Sequence, residues 1–172
     1  MRILAICGSL QAASSNLALL TEAVALAPEG VEIVLYDGLR HLPHFNPDLE
    51  DESGTSAPAS VVELRAELSR ADALLIASPE YGFSLPGALK NAIDWAIGSG
   101  ELEGKTVAVT ASVNVAERGR RGLGALSDTL AAVRANVTHR EPIVRGPTAK
   151  GELVALIAAL VDAATAARVS RT

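Results

Sequence analysis

Four short stretches of the chain are apolar almost without interruption: RILAIC (2–7), VEIVLY (31–36), DALLIA (72–77) and TVAVTA (106–111). A strand with one solvated face alternates apolar and polar positions, whereas a strand covered by helices on both faces does not. These runs therefore predict the inner strands of a parallel sheet. A fifth run, VTHREPIVR (137–145), is more polar and contains Pro142, which cannot donate to a ladder, so it is assigned to an edge. Between the runs, apolar residues recur at helical spacing. Residues 16–27 bring Leu17, Leu20, Val24 and Leu26 toward one side, and Pro28 with Gly30 stops the pattern. Residues 59–69 repeat it with Val62, Leu64 and Leu68. Pro86 opens a third helix at its favoured first-turn position, with Ile93 and Ile97 on the inner face. Residues 122–135 and 151–167 complete five helices.

Five strand–helix alternations in 172 residues predict one doubly wound α/β domain over 1–172, with right-handed crossovers and helices on both faces of a five-stranded parallel sheet. The size fits the flavodoxin-like strand order 2-1-3-4-5. In that order ligands sit beyond the carboxyl ends of strands 1 and 3, where the winding reverses. Two loops then matter most, residues 8–16 and 78–85.

Composition narrows the function classes. A formal net charge of −5 argues against a general nucleic-acid binder. The single cysteine, Cys7, excludes an internal disulfide and suits a reducing compartment. The apolar run after Arg2 stops at Gly8, too short for a signal peptide, and no segment has the length of a membrane span. A cytoplasmic protein without membrane or nucleic-acid partners is the expectation. His41 and His44 have no Cys, Asp or Glu set around them with zinc-ligand spacing, so no metal is expected. Cys7 reads as a small buried residue.

The first loop, GSLQAASSN, fits neither the three-glycine dinucleotide fingerprint nor the P-loop. It carries neutral donors instead: Ser9, Gln11, Ser14, Ser15 and Asn16. With backbone N–H groups at a helix start, these form a cradle for a phosphate. Simple helix capping by Ser14 or Ser15 is the competing explanation, and the switch-point position favours phosphate. Between Arg2 and Arg40 the chain has no Lys or Arg, so no local positive charge faces such an anion. The second loop, SPEYGFSLPGALKNAIDW (78–95), holds three of the five aromatic residues. Pro79, Glu80, Tyr81 and Gly82 can run along the edge of a planar heterocycle; the competing reading has Tyr81 and Phe83 plugging the top of the sheet, and the helical position of Trp95 suggests core or subunit contact. Arg118, Arg120 and Arg121, after strand 4, read either as a solvated loop or as a grip for a dinucleotide phosphate.

The blocks GSL-x-x-x-S-x-N, LPHFNPDLE (42–50) and PEY-x-x-S-x-PG-x-LKNA-x-DW resemble the NADPH-dependent FMN reductase family over residues 2–165 or so. The resemblance implies FMN as cofactor and NADPH or NADH as co-substrate. Hydride would pass from the nicotinamide to FMN and then to a quinone, flavin or similar small acceptor, with no catalytic side chain needed. It implies that Ser9, Ser14 and Asn16 hold the phosphate, that Pro79, Glu80, Tyr81 and Gly82 line the ring, and that Ser112 approaches from the other side. It also implies a homodimer or homotetramer, for which Trp95 is the candidate interface anchor. Two positions depart from the family pattern: Gln11 stands where Arg is common, and SVNVAERGRRG replaces a glycine-rich loop after strand 4. A flavodoxin-type electron carrier and a flavin-free binding or assembly protein are the other readings of the same residues.

Overall fold

A computed structural model describes residues 1–50 and 56–169. The main strands are β1 (Arg2–Cys7), β2 (Glu32–Tyr36), β3 (Ala73–Ala77), β4 (Thr106–Thr110) and, after a short β5 (Ser112–Val113), β6 (Asn136–His139). They form one parallel sheet in the order β2-β1-β3-β4-β6, the doubly wound order that the apolar runs predict. The helices are α1 (Ser15–Ala25), α2 (Ala59–Arg70), α3 (Gly87–Trp95), α4 (Arg120–Ala132) and α5 (Ala149–Val169).

The two-residue period of the strands sorts their side chains onto two cores. Leu4, Ile6, Leu74, Ile76, Val107 and Val109 point to the face covered by α2, α3 and α4. Ile3, Ala5, Ala73, Leu75 and Ala108 point to the face covered by α1 and α5. Both faces being covered is why β1, β3 and β4 show no polar alternation, and β3 and β4 are buried throughout.

The fifth run behaves differently from the expected single edge strand. Only β6 joins the main sheet; after it comes Pro142 and a separate strand, β7 (Ile143–Val144), which pairs in parallel with β5 in a small second sheet. Pro142 cannot donate, so the ladder restarts beyond it: Ile143 N–H donates to Ala111 O (2.9 Å) and Arg145 N–H to Val113 O (2.8 Å). The C-terminal end of the run is thereby carried against the loop that follows β4.

Some inner-face assignments shift in phase. Val24, Val62 and Ile97 are exposed, while Ala23, Val61 and Ala96 take core positions one residue away. Of the two readings of Trp95, core and subunit contact, the structure bears out the core and overturns its choice as interface anchor. Its side chain is 0% exposed, its Nε1–H donates to Pro43 O at 2.8 Å, and Phe45 meets its ring edge-on at 5.0 Å between centroids. The LPHF segment (42–45) supplies the partner that a buried indole N–H requires. The Arg65 guanidinium then donates to Trp95 O (2.7 and 3.1 Å), satisfying a carbonyl at the end of α3.

Candidate functional site

The carboxyl ends of β1, β3 and β4 are laced together. Gly8 N–H donates to Ala77 O and Ser78 N–H to Thr110 O, both at 2.9 Å. A Cβ on Gly8 would stand 2.7 Å from Ser78 Oγ, so only glycine lets the first loop leave the sheet this close to the second. The first loop then enters α1, whose N-cap is Ser14: its Oγ accepts from Leu17 N–H. Capping and anion binding are compatible here, because a first helical turn has more N–H groups than one cap can satisfy. Buried Asn16 turns its Oδ1 toward the third loop and accepts from Ser112 N–H at 2.8 Å. Ser15 Oγ donates to Ser112 O at 3.4 Å.

The second loop is fixed against α4. The Glu80 carboxylate accepts from Gly122 N–H at 2.8 Å, and a Cβ on Gly122 would lie 2.9 Å from Glu80 Cβ. Tyr81 and Ser84 exchange both backbone hydrogen bonds at 3.0 Å around Gly82 and Phe83, which have φ of +56° and +63°. Such a turn suits Gly82, whereas the left-handed conformation is rare for a residue as bulky as Phe83. Phe83 does not plug the sheet: it is 66% exposed, with the Arg121 guanidinium 4.4 Å above its ring.

These loops enclose a cleft of about 670 Å³, in the range of small-molecule sites. Ser15, Asn16, Pro79, Glu80, Ser112, Arg118 and Arg121 line it, together with Phe83, Asn114 and Arg145. Ser9, Gln11, Ser14, Tyr81 and Gly82 do not, Ser14 lining the neighbouring hollow beside α1 instead. Ser9 Oγ is bent back to accept from Gln11 N–H at 3.3 Å, and Gln11 is exposed. Arg120 also stays outside, its guanidinium committed to Ala116 O and the Glu141 carboxylate. A second hollow of about 970 Å³ runs along the outer side of α1, and Ser15, Ser112 and Arg145 belong to both linings.

Arg145 and Asn114 are absent from the sequence-derived site. The available signal was positional: Arg145 is the last residue of the 137–145 run, and parallel strands end on the ligand edge. The shifted titrations lie outside the cleft. Burial, reinforced by Glu63, Asp37 and Glu67, pushes the Tyr36 phenol up to about 12. At the amino end of β1, the hydrogen bond from Arg2 holds the Glu67 carboxyl below its ordinary value. Among the described residues no three His, Cys, Asp or Glu side chains gather as a metal set, and no helix is long and apolar enough to cross a membrane.

A doubly wound parallel sheet with a polar cleft at its switch point defines the flavodoxin-like class. The model of the NADPH-dependent FMN reductase family matches residues 1–147, and the chain belongs to that family. Over 96 residues it is 45% identical to the NAD(P)H-dependent FMN reductase of Pseudomonas aeruginosa, covering 56% of this chain and 50% of that one. Over 99 residues it is 42% identical to the NAD(P)H:quinone oxidoreductase of Solanum tuberosum, covering 56% and 50%. The match thus spans about half the length of these curated relatives. Among solved structures, FerB from Paracoccus denitrificans, a flavoenzyme NAD(P)H:(acceptor) oxidoreductase, superposes with a TM-score of 0.77 at 26% identity, covering 94% of this chain and 97% of that one.

Proposed function

We propose that this chain is a single-domain, FMN-dependent NAD(P)H oxidoreductase that reduces a quinone, a flavin or a similar small acceptor. The observation that carries the reading is the cleft itself, assembled from the loops after β1, β3 and β4 in a member of the FMN reductase family. Its donor set fits a flat heterocycle bearing a phosphate. The Gly8 approach removes bulk where the first loop passes the second, and the start of α1 presents N–H groups with the Ser15 hydroxyl. Pro79 and Glu80 form one wall, held by the bond to Gly122, and Ser112 with Asn16 forms the floor.

When bound, FMN supplies the redox chemistry, and the protein supplies position and electrostatics. Arg118 and Arg121 are the side chains placed to meet a dinucleotide phosphate at the rim. No nucleophile or general base is required of the chain. Ser9, Gln11, Tyr81 and Gly82 take part only if the loop tips move inward. The same reading makes the enzyme a cytoplasmic homodimer or homotetramer, with Ile97 and Val115 among the exposed apolar side chains available for such a contact.

The test is equilibrium titration of the apo-protein with FMN. Saturable quenching of flavin fluorescence at one FMN per chain is expected. Flavin fluorescence that stays unchanged at micromolar protein would leave the fold standing and remove the function.

A further inference from the structure

The first loop has no basic residue, yet a phosphate monoester carries close to two negative charges at neutral pH. The fold brings a cation to that place from the other end of the chain. Arg145 leaves β7 with its N–H bonded to Val113 O at 2.8 Å, alongside the Val113–Val144 pairing. Its side chain lies in the wall shared by the cleft and the hollow beside α1, in company with Ser15, the first residue of that helix.

The state of the guanidinium matters as much as its position. One nitrogen, Nη2, donates to Asn114 Oδ1, which fixes the side chain across the small second sheet. Among the described residues no carboxylate pairs with it, and its remaining N–H groups have no acceptor. Arg120, at the start of α4, is by contrast neutralised by Glu141. Of the carboxylates near the shared wall, Glu80 is occupied by Gly122 N–H, while Glu22 and Glu117 line the two hollows without bonding to Arg145. A half-anchored, unpaired guanidinium beside a helix N-terminus and a serine hydroxyl is a binding group for a phosphate monoester.

We propose that Arg145, positioned by Asn114, is the cation that binds the FMN phosphate and takes the role that a basic residue in the 8–16 loop would otherwise fill. The proposal rests on the FMN reading above. It also links the two departures noted in the sequence: the loop that lacks arginine, and the 113–119 segment that holds Asn114 instead of a glycine run.

Wild type, Arg145→Ala, Arg145→Lys and Asn114→Ala are titrated with FMN and with riboflavin, which has the same ring and no phosphate. Losing one charge-assisted contact predicts about tenfold weaker FMN binding for Arg145→Ala. Riboflavin affinity stays unchanged, Arg145→Lys retains part of the FMN affinity, and Asn114→Ala falls between. Adding Gln11→Arg to Arg145→Ala restores FMN over riboflavin. Equal weakening of both ligands overturns the proposal, because Arg145 would then act on the ring or on folding, which thermal melts of the variants separate. Unchanged FMN affinity with a higher KM for NADPH also overturns it and assigns Arg145 to the dinucleotide. Wild type that binds neither flavin removes the underlying FMN reading instead.

Discussion

Glu80, in the loop after β3, and Gly122, in the first turn of α4, are joined by a 2.8 Å hydrogen bond from backbone N–H to carboxylate. The bond does more than hold two loops. The residue before α4, Gly119, offers no side-chain cap, and the first turn has Arg120 and Arg121 with no acidic residue, the wrong sign for a helix N-terminus. Glu80 supplies the missing negative charge from a distant part of the chain, and it can do so only because position 122 has no Cβ.

Removing either partner is therefore expected to loosen the same wall. Glu80→Ala loses a helix cap, which costs about 0.5–2 kcal/mol. Gly122→Ala forces backbone or side chain to shift, at about 1–3 kcal/mol. Glu80→Gln keeps an acceptor and costs less than Glu80→Ala. Urea denaturation ranks the three, and equal stability of Glu80→Ala and wild type would show that the carboxylate is not capping α4.

Trp95 is the chain's only tryptophan, so its emission reports one environment. The buried position predicts a blue-shifted spectrum, resistant to acrylamide, that does not change on dilution. Trp95→Ala opens a cavity and costs about 3–5 kcal/mol. Trp95→Phe is milder, because Pro43 O keeps its second donor, Asn91 Nδ2, at 2.9 Å. An emission shift on dilution through an oligomer transition would contradict the core assignment.

The architecture was legible because continuous apolar runs have one simple explanation, and strand order places the cleft without further information. Residue-level features were less so. The sequence leaves Trp95 open between core and subunit contact, because its hydrogen-bond partner, Pro43, lies in another segment that has no periodic pattern. Arg145 is not legible as a site residue in the sequence because Pro142 divides one apparent strand into two that pair with different neighbours. Ser9, Gln11, Tyr81 and Gly82 belong to the right loops, but spacing does not reveal which way a loop tip turns.

Glu67 makes stability depend on acid. Its folded value lies below the ordinary 4.5, so its contribution is present above that pH and is lost as pH falls through the lowered value. Glu67→Gln is expected to be less stable than wild type at neutral pH, with the difference closing as pH falls through that lowered value. A difference that persists in acid would assign the loss to packing. Tyr36 acts at the other extreme: with its value raised to about 12, stability falls as pH rises from 10 through that value. In Tyr81→Phe, which leaves Tyr36 as the only tyrosine, phenolate absorbance should rise with a midpoint near 12.

The arginines after β4 separate into two groups. Arg118 and Arg121 line the cleft, whereas Arg120 is held by Glu141 and Ala116. The double variant Arg118→Ala/Arg121→Ala is expected to raise KM for NADPH more than for NADH. Arg120→Ala should leave both unchanged. The reverse pattern in steady-state kinetics would place the dinucleotide elsewhere.

The central claim is that the cleft holds FMN for reduction by a nicotinamide and reoxidation by a small molecule. Anaerobic stopped-flow mixing tests it most directly, using protein reconstituted with FMN. NADPH or NADH should bleach the visible flavin absorbance within turnover time, and a quinone added next should restore it. Bound FMN that stays oxidised in the presence of both dinucleotides would contradict the claim and identify an electron carrier instead.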